Sequence, residues 1–518
     1  MESAGPKPGT SLAEVAVVMA LAADLACGQP FEHVLRSCGI ATRFARHLGV
    51  PEEERVATYW FTLFMLPGCT ALSFELSRIF GDDIALRAAA YEPGPSIVAQ
   101  LRYVLSKAGE GATWARRARI RAELVAARMR PLEYSMVAHC SINARLADGL
   151  GLGERVASAL RQSFARWDGR GVPGLRGEEI ALPVRIGALA DMMEVFHRES
   201  GVEGAIAAAR MWEGIAFDPM LVDVWCEVAS DVLDAVDAEA AWSSVMADEA
   251  NRSLGPDEVE KALELIADYA DLKSPWFSGH SRGVAALTEA AALQLGLPAS
   301  EVTSARHAAL LHAIGRAGVP NSIWDKPGPL NDDEWERVRL HAYFTDRILR
   351  RAGGLARLAP IASSVHERVG GGGYPRGISG ETIPLIGRIL GSADRYHAML
   401  EARPHRAALP PADAAKELRR MVAEGELDPA ATDAVLSAAG HPVHRRPGGP
   451  AGLTPREVEV LELAARGATT RQIASRLGIK PKTAGNHIER IYAKIGVQSR
   501  AEAALFAMQH GLLRSLEP

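Results

Sequence analysis

Cysteine is scarce in this chain, and its placement argues against the sites that cysteines usually build. Five cysteines occur in 518 residues, all of them in the first half, and no two have Cys-x-x-Cys spacing. We therefore expect neither a disulfide framework nor a cysteine-based zinc site, and we expect the protein in the reducing cytoplasm.

Long uncharged apolar runs are also missing. The most apolar segment, LAEVAVVMALAADLA, is interrupted by Glu14 and Asp24, and no segment reaches the roughly 18 uncharged residues that a membrane span needs. Ser11 and Glu14 have the spacing of a capping box, which predicts the start of a soluble helix. Lys7 is the only basic residue before that helix, so we expect no secretory signal and no membrane partner.

Aromatic residues are few as well, at 6% of the chain, whereas apolar residues as a whole reach 48%. The apolar side chains, mostly Ala, Leu and Val, recur with a helical period, and strand-like alternation is rare. We therefore predict an all-α chain, too long for a single hydrophobic core and divided into several domains.

Three pairs of similar segments follow one another in the same order. HVLRSCGIATRFARHLGVP from His33 is similar to HSRGVAALTEAAALQLGLP from His280, and HCSINARL from His139 is similar to HAYFTDRI from His341. The third pair is DGRGVPGLRGEEIALPVRIGALAD and GGGGYPRGISGETIPLIGRILGSAD. The number of residues between the two members is smaller in the second pair than in the first. This difference predicts an insertion in the first copy at about residues 70–130.

Repeats and composition together predict four regions: a first repeat over 1–245, a second over 246–436, a Pro/Gly-rich linker over 437–450 and a small domain over 451–518. The net charge of −5 is divided unequally. The last region has ten Lys/Arg against six Asp/Glu, and the rest of the chain has 48 against 57. A basic module on an acidic body is typical of a nucleic-acid-binding protein with a regulatory part.

The last region has four short helical patterns. Gly478 predicts the end of one helix and Pro481 the start of the next. This is the helix-turn-helix arrangement, whose second helix enters the DNA major groove; the alternative is a packing module with a charged surface. The candidate DNA contacts are polar or basic residues of the second helix: Lys482, Thr483, Gly485, Asn486, His487, Arg490 and Lys494.

LTPREVEVLELAARGATTRQIASRLGIKPKTAGNHIERIYAKIGVQSRAEA resembles the DNA-binding domain of the LuxR family over its whole length. The resemblance implies double-stranded DNA as the partner and a homodimer formed through the last helix, about residues 500–513. Ala484 and Gly485 replace the valine and the longer polar residue common in the family, a departure that bears on base preference.

The second repeat distributes His280, His312, His341 and His366 over separate predicted helices, with Asp394 after them. Taken singly, each histidine is more typical of a surface or capping residue than of a ligand. Imidazole and carboxylate groups from several helices of a bundle, however, are the usual way to build a dinuclear metal site.

The segments HSRGVA, LLHAIGRAGVP, IWDKPGPLNDDEWERVRLH, VHERVGGGGYPRGISG and RILGSAD resemble, in order, the motifs of the HD-GYP subgroup of HD-domain phosphohydrolases. The resemblance implies two tandem HD-domain-like helical bundles before the four-helix DNA-binding domain. It also implies hydrolysis of cyclic di-GMP with iron or manganese, one metal on His280, His312 and Asp394 and another on His341 and His366.

This chain departs from the family at several of those motifs. Ala313 stands where the family has the aspartate that bridges both metals, and Val365 replaces the first histidine of His-His-Glu-Arg. Arg316 replaces a lysine, and Gly371-Gly372 replaces part of Asp-Gly-Ser. Two cations repel strongly without a bridging anion, so we expect no dinuclear centre and no catalytic residue; a single Fe or Mn ion is the alternative.

The first copy is further eroded. His33, His139 and Asp191 stay in register, but Met65 and Leu66 occupy the His-Asp position. Ser163 and Phe164 occupy the His-His position. We interpret this copy as structural or ligand-binding, with a small molecule or nucleotide as its ligand.

Three functions follow from these patterns. The first is a cytoplasmic DNA-binding transcriptional regulator whose catalytically impaired HD-GYP-like body senses a signal or dimerises. The second is a metal-dependent phosphohydrolase of the cyclic di-GMP phosphodiesterase type, fused to a DNA-binding domain. The third is a metal sensor that uses the residual site. Ala313 and Val365 favour the first.

Overall fold

The computed structural model describes residues 9–247, 251–442 and 450–513. It divides the chain into two compact units, Met1–His441 (the body) and Pro442–Pro518 (the C-terminal unit). The described residues form α-helices, short 3₁₀ helices and isolated bridges, with no β-strand among them. The predicted all-α fold class is confirmed. Residues 443–449 of the predicted linker lie outside the described residues.

The first half of the body contains α1 (Leu12–Ala26), α2 (His33–His47), α3 (Glu52–Phe64), α4 (Gly68–Ala71), α5 (Ser73–Phe80), α6 (Asp83–Ala88), α7 (Ile97–Lys107), α8 (Trp114–Ala126), α9 (Arg130–Gly149), α10 (Glu154–Leu160), α11 (Leu182–Met211), α12 (Pro219–Ala238) and α13 (Ala241–Met246).

The second half of the body contains α14 (Pro256–Asp271), α15 (His280–Gln294), α16 (Ala299–Leu311), α17 (Asn321–Trp324), α18 (Asp332–Arg351), α19 (Ala359–Ala362), α20 (Leu385–Leu400), α21 (Pro411–Ala423) and α22 (Pro429–Ala438). Two 3₁₀ segments bear on the site, Ile314–Gly318 and Ser363–His366.

The N-terminal helix α1 is shared by both halves of the body. The predicted capping box begins it: Ser11 Oγ accepts from the Glu14 N–H, and the Ser11 N–H donates to Glu14 Oε2. Nearly all of its side chains are buried. It packs against α2 and α3 on one side and against α14, α18 and Ile314–Gly318 on the other. The two halves therefore fold around one common helix.

Matching hydrogen bonds occupy matching places in the two halves. The Gly68 N–H donates to Asn143 Oδ1 at 2.7 Å, and the Gly315 N–H donates to Thr345 Oγ1 at 3.1 Å. Two ion pairs of equal length, 2.7 Å, also correspond: Arg185–Asp218 and Arg388–Asp428. These pairs support the prediction of two repeats, which stays a prediction. Helix α13 crosses the predicted boundary at 245, and α22 extends two residues into the predicted linker.

One bent helix pair, Glu52–Ala71 with Ser73–Phe80, has together the length and apolar composition of a membrane span. Within the described ranges, no single helix is long and apolar enough to cross a membrane.

The C-terminal unit contains α23 (Pro455–Ala465), α24 (Thr470–Leu477), α25 (Pro481–Ile495) and α26 (Arg500–Gln509). Gly478 ends α24 with a φ of 63°, a left-handed conformation that suits glycine, as its sequence position predicts. The unit has its own core, in which Ile473 of α24 packs with Ala484 and Ile491 of α25.

Candidate metal cluster and DNA-binding surface

Three helices of the second half bring the first predicted ligand set together. His280 is the first residue of α15, after Gly279 with a φ of 77°. His312 follows the last residue of α16, and Asp394 lies in the middle of α20. Their ligand atoms all lie within 4.8 Å of one another, and all three residues are buried. We call this set the triad.

Asp394 Oδ1 is the meeting point of the triad. It lies 3.1 Å from His280 Nε2 and 3.3 Å from His312 Nε2. His312 Nδ1 lies 2.5 Å from the Ala309 carbonyl, a contact in which the ring nitrogen must donate. The proton is thus assigned to Nδ1, and the lone pair of Nε2 is directed at the centre of the triad. That buried Nε2 forms no hydrogen bond with any described residue.

Burial sets the charges of the triad. Burial lowers the pKa of His312, so this imidazole is neutral at pH 7. The pKa of Asp394 is well below its usual range, because its contacts with the His280 and His312 rings outweigh the raising effect of burial. A neutral imidazole and an ionised carboxylate are the forms that bind divalent iron or manganese. His312 and Asp394 therefore have charges that suit one metal ion, and the ligand atoms of all three residues lie within 4.8 Å of one another.

His341 and His366 form a neighbouring pair. Their Nε2 atoms lie 3.0 Å apart, and His341 Nδ1 donates to the Val338 carbonyl at 2.5 Å. Burial lowers the pKa of His341 to about 4 and that of His366 well below the ordinary value. The structure thus brings the five predicted ligands into two adjacent groups, a triad and a pair.

Among the described residues, no metal-capable group of side chains joins the triad to the pair. Ala313 is fully buried at the position where the family has its bridging aspartate. Besides the triad, the described residues contain one further group of three with metal-ligand spacing, His280, His397 and Glu401, and the His341–His366 pair belongs to neither group. The side chains present therefore fit one ion and do not fit the dinuclear centre that the resemblance implies.

Arg316 is a residue of the cluster that the sequence marked only as a departure. Its Nη2 donates to His280 Nε2 at 3.1 Å and lies 3.6 Å from Asp394 Oδ1. The residue is 6% exposed. No local pattern predicts this contact, because the direction of the side chain depends on Phe277 and on the helices that carry His280 and Asp394.

Glu401 and His397 are two further residues that the sequence analysis missed. Glu401 Oε2 accepts from His280 Nδ1 at 2.9 Å, and its Oε1 lies 3.1 Å from His397 Nδ1. His397 follows Asp394 by three residues and Glu401 follows it by seven. This helical spacing places all three on one face of α20 and its end. That spacing could have identified them.

A cavity of about 420 Å³ opens next to His366. Three arginines and two carboxylates line it, Arg339, Arg368 and Arg395 with Asp332 and Glu336. The Tyr374 ring stacks on the His366 ring with centroids 4.8 Å apart. Guanidinium groups and an aromatic face are suited to phosphates and bases.

The corresponding place in the first half is closed by protein groups. His33 contacts two carboxylates, Asp191 at 3.0 Å and Glu194 at 2.5 Å. Tyr91, from the predicted insertion, donates to Asp191 Oδ2 at 2.8 Å. His139 lies elsewhere, with Nε2 2.7 Å from the Met65 carbonyl. A cavity of about 480 Å³ beside Tyr91 is consistent with the ligand-binding interpretation of this copy.

The predicted DNA contacts form one surface on α25. Its buried side, Ala484 and Ile491, packs into the core of the unit. The opposite side exposes four of the seven predicted residues, Lys482, Thr483, Asn486 and Arg490, with Gly485 and His487 half-buried beside them. At Gly485, no described atom lies within 4 Å of the position that a Cβ would take, so the fold tolerates a longer side chain there.

Lys494, the seventh predicted DNA contact, is already paired within the C-terminal unit. Its Nζ lies 2.6 Å from Oε2 of Glu457, a buried residue that also closes the capping box of α23 with Thr454. The ammonium thus stabilises the fold of the unit.

Two family models match the chain. The HD domain matches residues 264–431, which include the triad and the histidine pair. The model of bacterial regulatory proteins of the luxR family matches residues 451–507, which include α23 to α25. These matches correspond to the two regions that carry the sites described above.

Relatives extend the similarity across the body. The 3'3'-cGAMP-specific phosphodiesterase 3 of Vibrio cholerae is 31% identical over 406 residues, covering 77% of this chain and 88% of the relative. The cyclic di-GMP phosphodiesterase of Thermotoga maritima is 35% identical, covering 32% of this chain and 44% of the relative. A crystal structure of a cyclic GMP-AMP-specific phosphodiesterase of V. cholerae is 28% identical, with a TM-score of 0.58 over 83% of this chain and 98% of that one. The chain therefore belongs to the HD-GYP phosphodiesterase family and carries, after its body, a helix-turn-helix domain of the luxR family of bacterial regulatory proteins.

Proposed function

We propose that this protein is a sequence-specific, DNA-binding transcriptional regulator whose HD-GYP-like body is impaired in hydrolysis and acts as a sensor. The observation that carries the proposal is the combination of a complete luxR-type unit, with its polar α25 surface exposed, and a cluster in which Ala313 replaces the bridging carboxylate. A regulator of this kind acts on double-stranded DNA in the cytoplasm.

The chemistry of the cluster supports impaired hydrolysis. An ion held by His280, His312 and Asp394 would act as a Lewis acid on one phosphate oxygen. Among the described residues, His341 and His366 belong to no metal-capable group with the ligands of that ion, and a second ion beside them would repel the first without a bridging anion. The body then binds its substrate-like ligand more effectively than it cleaves it.

The ligand that the body would sense is a cyclic dinucleotide. Phosphodiesterases of cyclic GMP-AMP and of cyclic di-GMP are among the relatives, and the arginine-lined cavity beside His366 is suited to such a ligand. Binding would shift the population of body conformations and so alter how the DNA-binding units are presented.

The active form would be a homodimer. Helix α26 exposes two large apolar side chains one turn apart, Leu505 and Met508, each more than half exposed. Dimeric helix-turn-helix proteins read two half-sites spaced by a helical turn of DNA. We propose these side chains as part of the dimer contact.

Substitution of the α25 surface tests the DNA-binding proposal. Asn486→Ala combined with His487→Ala should reduce operator affinity at least about 100-fold, because polar contacts to base edges are lost. His312→Ala should leave it within about threefold, because His312 belongs to the body. The measurement is fluorescence anisotropy with an operator selected from random DNA.

Glu489→Ala is the matched control for that experiment, since Glu489 is exposed on the same helix and is not among the proposed contacts. Loss of operator binding in His312→Ala with an intact fold would instead favour a metal sensor.

A working cyclic-dinucleotide phosphodiesterase is the second candidate, favoured by the relatives and by the intact triad. Mass spectrometry of protein purified without chelators gives its metal content, and incubation with 3'3'-cGAMP and with cyclic di-GMP gives its activity. Two ions per chain with turnover that is lost in Asp394→Asn would establish the enzyme and overturn the proposed impairment.

A further inference from the structure

The guanidinium of Arg316 lies in contact with the triad. Its Nη2 is 3.1 Å from His280 Nε2 and 3.6 Å from Asp394 Oδ1. These are two of the three atoms that would bind an ion. A cation of the protein's own is therefore already next to the metal-binding atoms.

The position of this guanidinium is supported from a second side. Its Cζ lies 4.6 Å from the centroid of the Phe277 ring, and the Arg403 Cζ lies 4.7 Å from the same ring. Trp324 Nε1 donates to the Arg316 carbonyl at 3.3 Å. Contacts with an aromatic face and with a backbone group leave the charged end of Arg316 directed at the triad.

A metal ion and this guanidinium require the same atoms. The ion needs the lone pair of His280 Nε2, which already accepts from Arg316, and the negative charge of Asp394, which Arg316 partly neutralises. Two cations a few ångströms apart in a buried site also repel each other. Binding of an ion thus requires that Arg316 move away.

We propose that Arg316 is the resident cation of the triad and that it keeps divalent metal ions out of an otherwise suitable site. This inference rests on the proposed impairment of hydrolysis and extends it. The positive charge of Arg316 occupies the place that the charge of a metal ion would take. Arg316, and not the ligand set, is thus the reason for weak metal binding at His280, His312 and Asp394.

Substitution of Arg316 distinguishes a site that is blocked by the Arg316 guanidinium from a ligand set that binds metal weakly by itself. Arg316→Met removes the charge and retains an unbranched apolar chain that can still pack on Phe277. We expect the variant to bind one Co²⁺ per chain about 100-fold more tightly than the unsubstituted protein, because the competing cation is gone. Arg316→Gln, which removes the charge but keeps an amide donor, should behave in the same way.

The measurement is a titration of the full chain with Co²⁺, monitored by calorimetry and by the visible absorption of the bound ion. Arg282→Met is the matched control: Arg282 is on α15, two residues after His280, and pairs with Asp268 and Glu264 at the surface. It should bind Co²⁺ no better than the unsubstituted protein. Arg316→Met combined with Asp394→Asn should lose the gained site.

Two results would overturn the proposal. One is that the unsubstituted chain by itself binds one Co²⁺ tightly and loses it in Asp394→Asn, a comparison that needs no Arg316 variant to fold. The other is that both Arg316 variants, folded as judged by tryptophan fluorescence, gain no ion. Operator binding is measured separately, so either result leaves the DNA-binding proposal open to its own test.

Discussion

His33 and His280, which begin the first pair of similar segments, differ in the side chains that surround them. Each of these histidines lies between two carboxylates, Asp394 and Glu401 around His280 and Asp191 and Glu194 around His33. His280 also contacts the guanidinium of Arg316. Burial opposes the charge on His33, but the hydrogen bonds to Asp191 and Glu194 prevail and raise its pKa to about 10. The imidazole of His33 is therefore protonated at pH 7.

This protonated His33 predicts a pH-dependent stability of the body. Between its unfolded pKa of about 6.5 and its folded pKa of about 10, the folded state holds one more proton, so the free energy of unfolding falls as the pH rises. The slope should be ~1.4 kcal/mol per pH unit between pH 7 and pH 9. Urea unfolding followed by tryptophan fluorescence measures it, since all nine tryptophans lie in the body.

His33→Gln should remove this contribution to the slope. His47→Gln, exposed on the same helix α2, is the control and should retain it. An unchanged slope in His33→Gln would show that the proton is held elsewhere.

At the scale of the element, the recognition helix α25 has two different roles on two sides. The exposed side carries the proposed DNA contacts, and the other side is held by the core and by the Lys494–Glu457 ion pair. Lys494 lowers the pKa of the Glu457 carboxyl, together with hydrogen bonds from Thr454, against the raising effect of burial. One lysine therefore connects α25 to the start of α23.

Lys494→Met should destabilise the C-terminal unit by about 1–3 kcal/mol, because it leaves a buried carboxylate without its cation. Arg490→Ala should leave stability nearly unchanged and weaken DNA binding instead. Differential scanning calorimetry of the full chain and operator anisotropy separate the two effects. The double variant Lys494→Met with Glu457→Gln leaves no buried carboxylate without its cation. If it loses as much stability as Lys494→Met alone, the ion pair is not the cause of the destabilisation.

At the scale of the whole molecule, a buried polar network joins the two halves of the body. Asp83, from the predicted insertion, contacts Lys273 Nζ at 3.3 Å and Arg87 at 2.9 Å, and it accepts the Asn321 N–H at 2.8 Å. Burial raises the pKa of the Asp83 carboxyl, but the charges of Lys273 and Arg87 outweigh burial and lower it. The predicted insertion thus contacts the start of α17 through Asp83 and Asn321.

Lys273→Met should destabilise the body by about 3–5 kcal/mol, since it removes one partner of a buried ion pair. The matched control is Lys326→Met, because Lys326 pairs with Glu334 near the surface, and its loss should cost less than about 1 kcal/mol. Urea unfolding followed by tryptophan fluorescence reports the body alone. Equal losses in the two variants would exclude a structural role for the network.

Signals that act over a few residues determined much of this protein from its sequence. The capping box at Ser11, the left-handed Gly478 and the proline that starts α25 are where the local patterns predicted them. The helical period of the apolar residues predicted the all-α fold, and the resemblance to the HD-GYP subgroup implied the close approach of His280, His312 and Asp394.

The tertiary structure alone decided which charged groups meet. Tyr91 reaches Asp191 across 100 residues, Lys494 pairs with Glu457 across 37, and α1 packs against both halves of the body. Arg316 lies only four residues after His312, yet its direction depends on Phe277 and on the helices that carry His280 and Asp394. Caps and helix periods arise from neighbours within one or two turns, whereas the partner of a buried charge is selected by the packing of distant helices.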